Sequence, residues 1–141
     1  MKKILIACFV TSLLFSCTKQ DDNPTPPTLT GHWRLAQTLA DPGDGSGVFK
    51  DVESGKTLQF LDDGVIKSSV PLCDMNSILN VTGEGTYDDS FIFPQFCQAN
   101  DVKLSYKIEG NNLVVYYPCI EPCAEKYIKI EDPSGNKFGT N

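Results

Sequence analysis

The chain has 141 residues, 12 basic against 18 acidic, with a formal net charge of −6. One domain is the expectation at this length, and 40% apolar residues, including 8 Phe, 5 Tyr and 1 Trp, are enough to pack a core. The acidic balance excludes nucleic acid as a partner, and no stretch reaches the roughly 18 apolar residues of a membrane-spanning helix.

In chain order, the first feature is Lys2 and Lys3 ahead of the largely apolar residues 4–15. A basic start followed by a short apolar run reads as a secretory signal. Leu14-Phe15-Ser16-Cys17 comes next, and it resembles the lipobox of bacterial lipoproteins, with Leu three positions before the Cys and a small residue directly before it. The resemblance implies cleavage before Cys17 and lipid on its thiol and new N-terminus. Each buried CH₂ contributes ~0.8 kcal/mol, so two or three acyl chains hold a protein stably to a membrane.

Residues 1–16 are therefore expected as the signal peptide, 17–28 as the lipidated Cys and a flexible tether, and 29–141 as one domain. Thr18-Lys19-Gln20-Asp21-Asp22-Asn23 resembles the surface-export signal of Bacteroidetes lipoproteins, and Pro24-Thr25-Pro26-Pro27 has the composition of a stiff tether. The implied location is the outer membrane, facing either the cell surface or the periplasm with the surface favoured, and the membrane is met through the lipid anchor. Loss of Lys2 and Lys3 leaves 10 basic and 18 acidic groups, a formal net charge of −8, which favours solubility and disfavours anionic partners.

The body of the chain shows no helical periodicity. Short segments of alternating polarity are separated by Gly, Pro, Asn and Asp, and strands are expected over residues 31–38, 57–61, 65–69, 85–88, 91–93, 102–109, 113–117 and 125–131. Asp62-Asp63-Gly64 and Gly110-Asn111-Asn112 are turn sequences. Period two places Trp33, Leu35 and Gln37 on one face of the first strand, makes Ile128 and Ile130 the inward pair of the last, and sends Tyr116 and Tyr117 to opposite faces. The expected fold is all-β: a small antiparallel up-and-down β-barrel of about eight strands, enough to close and remove its edges. An open sandwich would satisfy the same periodicity.

Thr30-Gly31-His32-Trp33-Arg34-Leu35 resembles the Gly-x-Trp first strand of lipocalins. The order of further features resembles the lipocalin-like domains of Bacteroidetes lipoproteins. These are Asp41-Pro42-Gly43-Asp44-Gly45-Ser46-Gly47, the Leu58 to Gly64 segment, and Cys119-Ile120-Glu121-Pro122-Cys123 before a closing strand. The resemblance implies a lipocalin-like barrel with Trp33 as the plug of one end. The family's Arg over that Trp is absent; Arg34 is the only Arg in the chain, and Lys129 is the nearest substitute.

Beyond Cys8 in the signal and Cys17 at the lipid site, Cys73, Cys97, Cys119 and Cys123 remain, and an exported domain with four Cys is expected to form two disulfides. Three pairings are open; a local Cys119–Cys123 clip with a longer Cys73–Cys97 loop is the favoured one. The spacing suits neither a redox Cys-x-x-Cys nor zinc knuckles. Asp41, Asp44 and Asp51 around a Gly-rich loop raise calcium, but counting from Asp41 puts Gly at positions three and five, so the EF-hand pattern fails and a turn is expected. No metal and no cofactor are expected.

His32 is the only His, and no second group completes a catalytic constellation, so no catalytic residue is assigned and the protein is expected not to be an enzyme. Phe60, Phe91, Phe93 and Tyr106 are the candidates to line a cavity for a small lipophilic or amphipathic ligand. If side chains fill the barrel instead, the alternative is an interaction module serving an envelope protein partner.

Overall fold

The computed structural model describes residues 27–75, 81–99 and 101–132; the expected signal peptide and most of the tether, Cys17 included, lie outside them. Nine strands form among these residues: β1 (Gly31–Ala40), β2 (Lys50–Asp51), β3 (Thr57–Phe60), β4 (Val65–Ser68), β5 (Gly83–Tyr87), β6 (Phe91–Pro94), β7 (Leu104–Glu109), β8 (Asn112–Tyr116) and β9 (Cys123–Ile130). Every paired neighbour is antiparallel, and β1 pairs with both β3 and β9. Eight strands therefore close into an up-and-down, lipocalin-like barrel, while the short β2 extends the edge of β1 beyond the end of β3.

The hairpins follow the turn chemistry of the sequence. Gly64 holds φ +81° after Asp62-Asp63 and donates to Leu61 O, a conformation that a side chain would strain. Such tight turns, with the β5–β6 and β7–β8 turns, gather at one end of the barrel together with the start of β1. The long connections between β1 and β3, β4 and β5, β6 and β7, and β8 and β9 gather at the other. We call these the turn end and the loop end.

Trp33, Leu35, Leu58, Phe60, Ile66, Ile92, Leu104, Leu113, Val115 and Tyr127 point inward and form one buried core. Two inward assignments differ from the sequence expectation. A bulge at Ala36 shifts the β1–β9 register between Leu35 and Gln37, so Gln37 turns outward and its amide donates to Asp51 Oδ1 at 2.8 Å. In β9, register places Glu125 opposite Val115 and Tyr127 opposite Leu113, so the inward residues are Glu125, Tyr127 and Lys129. Ile128 and Ile130 are half-buried on the outer face. Alternation gives the period of a strand but not its phase, and in β9 the polar set is the inward one.

Candidate functional site

The turn end is shut. Trp33 is fully buried, and its indole N–H donates to Leu29 O at 2.7 Å. The Lys129 ammonium lies 5.3 Å from the Trp33 ring centroid and donates to Thr28 O and, at 3.0 Å, to Thr28 Oγ1. Burial holds the Lys129 pKa below its ordinary value. Lys129 thus takes the place over the Trp that the lipocalin resemblance assigns to an Arg. Tyr87 donates its hydroxyl to Leu61 O and Tyr106 to Asp88 O, tying two inward rings to hairpin carbonyls. The Tyr106 pKa is pushed up to about 12, by burial first and then by the charge of Asp88.

The four expected cavity-lining residues do not share a lumen. Phe60 is fully buried and packs edge-on against Tyr87 at 4.9 Å and near Tyr106 at 5.9 Å, as part of the core. Ile92 is the inward residue of β6, so Phe91 and Phe93 lie on the outer wall, 6.4 Å apart, with the Lys103 ammonium over the Phe91 ring. A period-two strand carrying Phe-Ile-Phe leaves its phase open, and burial of the middle residue decides it.

Beneath the loop end sits a polar cluster inside the barrel. Lys56 Nζ donates to Glu125 Oε1 at 2.9 Å, to Glu125 Oε2 at 2.8 Å and to Tyr117 O–H oxygen at 3.1 Å. The Tyr117 and Tyr127 hydroxyls each donate to Glu125 Oε2 at 2.6 Å. The three ammonium hydrogens of Lys56 are thereby used, and the carboxylate accepts four bonds, so a buried ion pair is satisfied from within. Both tyrosine pKa values stand well above their ordinary value, through burial first and then, for Tyr117, the Glu125 charge. Sequence reasoning assigned no role to Lys56, Glu125, Tyr117 or Tyr127. Nothing in the sequence marks them, since the expected inward parity of β9 was that of Ile128 and Ile130, opposite to Glu125 and Tyr127.

The loops above form two stapled pairs. Between β1 and β3, the Asp41 carboxylate accepts backbone N–H bonds from Gly43 (2.7 Å), Gly45 (3.1 Å) and Gly47 (2.7 Å). The bonds from Gly47 and Gly43 in particular hold its pKa below the usual value. The acidic Gly-rich loop is therefore a turn built on one carboxylate. Among the described residues, no three metal-ligating side chains come together. Asp41 N–H donates to Pro122 O at 3.0 Å, joining this loop to the β8–β9 connection, which the Cys119–Cys123 disulfide clips.

The second pair is joined by the Cys73–Cys97 disulfide, across 24 residues. Gly83 permits this arrangement: a Cβ there would stand 2.7 Å from Val70 O and 2.9 Å from Leu72 N. The chain can therefore fold back over the start of β5 and insert Leu72 into the core, where it is 2% exposed.

A cleft of about 530 Å³ opens between these two connections. Pro71, Cys73 and Asp74 line it from one side, and Phe96, Cys97, Gln98, Ala99 and Val102 from the other. Its walls are mainly apolar, and its size falls within the roughly 300–1,000 Å³ of small-molecule sites. His32 is far from it: it sits at the turn end on the outer face, with Nε2 3.7 Å from Asp132 Oδ1. Sequence reasoning named Cys73 and Cys97 only as disulfide partners and did not single out Phe96, an ordinary loop residue until the fold leaves it exposed beside the bridge.

No protein-family model, curated protein or solved structure matches this chain.

Proposed function

We propose that this protein is a lipid-anchored lipoprotein of the bacterial envelope, exported and tethered through Cys17 and displayed at the outer surface, and that it works by non-catalytic binding of a small apolar or amphipathic molecule. The lipobox and the Lys-acidic segment behind Cys17 support the location. The observation that carries the binding reading is the loop-end cleft of about 530 Å³, walled by Pro71, Val102, Ala99 and a disulfide. The binding place is then the rim of the barrel and not its interior, where Phe60, Ile66, Ile92 and Leu104 are all fully buried. Burial of apolar ligand surface at ~25 cal/mol per Å² is the driving term.

A second reading, an envelope accessory subunit that docks a protein, is favoured by Ile120 and Val48. These stand on the other stapled loop pair with relative exposures of 102% and 60%.

Native mass spectrometry of the mature chain, taken from its own envelope without denaturation, separates the two. The binding reading expects a discrete added mass that leaves on denaturation. A bare polypeptide-plus-lipid mass, together with a crosslinked protein lost in Ile120→Ser, would favour the accessory subunit. The anchor is tested by labelled fatty acid, whose incorporation is expected to vanish in Cys17→Ser.

A further inference from the structure

We propose that Phe96 is a ligand-contact residue, and that the loop-end cleft takes a neutral or cationic molecule with a planar apolar body, held between the Phe96 ring and the Cys73–Cys97 bridge. This rests on the reading of that cleft as a binding site and names its ligand class and its contact residue.

Two independent observations meet at Phe96. Among the described residues, two non-glycines hold positive φ, Phe96 at +61° and Asp101 at +62°, and both lie in the connection that walls the cleft. Asp tolerates the left-handed region through its short polar side chain, whereas a bulky aromatic there is strained. Strain of this kind normally persists where surrounding contacts over-determine it. Yet Phe96 is 96% exposed, so its side chain gains almost nothing from packing. Its backbone is fixed from both sides: Gln95 N–H donates to Glu84 O at 2.8 Å, extending the β5–β6 ladder, and Cys97 is bonded to Cys73. A glycine would fit that backbone without strain and lose no core contact. The ring therefore contributes nothing to the folded state that offsets its conformational cost, and what it does supply is an uncovered aromatic face at the edge of an apolar cleft.

The ligand class follows from the walls. The disulfide, Pro71 and Val102 present apolar, rigid surface, and Val102 is anchored against the core. Opposed to an aromatic face, these favour a flat body. The one ionisable side chain among the described lining residues is Asp74, and the mature chain is strongly acidic. Negative charge on the ligand is disfavoured, and positive charge is tolerated.

Indole, tryptamine and indole-3-acetate share one planar body and differ in charge, and they serve as probes. Each is titrated into the mature chain and followed by amide chemical shifts, which also locate the site. Indole and tryptamine are expected to saturate, with shifts at Cys73, Cys97 and Val102. Indole-3-acetate should bind at least about tenfold more weakly, a difference of about 1.4 kcal/mol. Phe96→Gly is expected to weaken indole by roughly three- to tenfold, the scale of one aromatic contact, while its thermal midpoint equals or exceeds that of the parent. Phe96→Trp should restore binding, and Phe93→Ser on the outer wall should leave it unchanged.

Saturable binding that Phe96→Gly leaves intact would overturn the role of Phe96 alone. Equal or tighter binding of the anionic probe would overturn the ligand class. Absence of saturable shifts with every probe would overturn the cleft as a planar-ligand site, and with it the reading on which this inference rests.

Discussion

Lys56 and Glu125, 69 positions apart in the sequence, meet inside the barrel with Nζ 2.8 and 2.9 Å from the two carboxylate oxygens. The pair ties the residue just before β3 to the loop-end part of the β1–β9 seam, where Glu125 pairs with Thr38, so the long β1–β3 loop enters the barrel at a fixed place. Two charges in a protein interior are worth keeping together and costly to separate, because desolvation is already complete. Their removal makes the first prediction. Lys56→Met or Glu125→Gln alone should lower unfolding free energy by about 3–5 kcal/mol. The double variant, with no unpaired charge and an acceptor still present for both tyrosines, should lose less than the sum of the two, as urea unfolding of the four proteins would reveal.

Alkaline pH tests the same cluster. In the unfolded chain a tyrosine ionises near pH ~10. In the folded protein Tyr117 and Tyr127 remain protonated well beyond that, because they are buried and donate to a carboxylate. Above pH ~10 the folded state thus holds more protons than the unfolded one, and stability falls as pH rises, by up to about 1.4 kcal/mol per pH unit for each residue. The tyrosine contribution should be level below that point and drop between it and the folded values. Unfolding midpoints across the alkaline range, with tyrosinate absorbance as the parallel readout, check this; Tyr127→Phe should flatten the slope.

The two disulfides should differ in worth. On chain-entropy grounds alone, closing a loop of Cys73–Cys97 length stabilises by roughly 3.5 kcal/mol, and one of Cys119–Cys123 length by roughly 2. Cys73→Ser/Cys97→Ser should therefore lower the thermal midpoint more than Cys119→Ser/Cys123→Ser. It should also release Leu72 from the core and abolish the cleft, visible as amide exchange spreading through residues 70–75. An equal loss from the two double variants would contradict the expectation.

Asp41 is expected to organise its loop without supporting the barrel. Three backbone amides depend on its carboxylate, and Asp41 lies in the loop outside the buried core. Asp41→Ala should speed amide exchange at Gly43, Gly45 and Gly47 by more than tenfold, about the loss of one or two hydrogen bonds, while β1 and β9 keep their protection. Added calcium should leave the exchange of the parent protein unchanged.

The strands themselves were legible in the sequence. Each of the eight expected segments overlaps an observed one, because β-alternation, Asp-Gly and Gly-Asn turn pairs and the absence of helical periodicity are local properties of the chain. At the turn end, the sequence singled out Trp33, which is fully buried, and Lys129, whose ammonium stands over its ring.

What the sequence left open was phase, closure and interior chemistry. Period two is symmetric between the faces of a strand, so Phe91 and Phe93 against Ile92, or Ile128 and Ile130 against Tyr127 and Lys129, are decided only when neighbouring strands fix which side is inside. The bulge at Ala36 reversed the second half of β1 without any residue that announces it. Whether eight strands close or open depends on β1 meeting β9, a contact between the two ends of the domain that no local pattern encodes. The Lys56–Glu125 pair depends on the closed barrel, and the Phe96 cleft on the Cys73–Cys97 staple between two connections far apart in sequence. Sequence by itself determined the elements and the turns; tertiary structure decided which side chains share an interior, because burial and pairing are properties of the closed sheet and not of any segment within it.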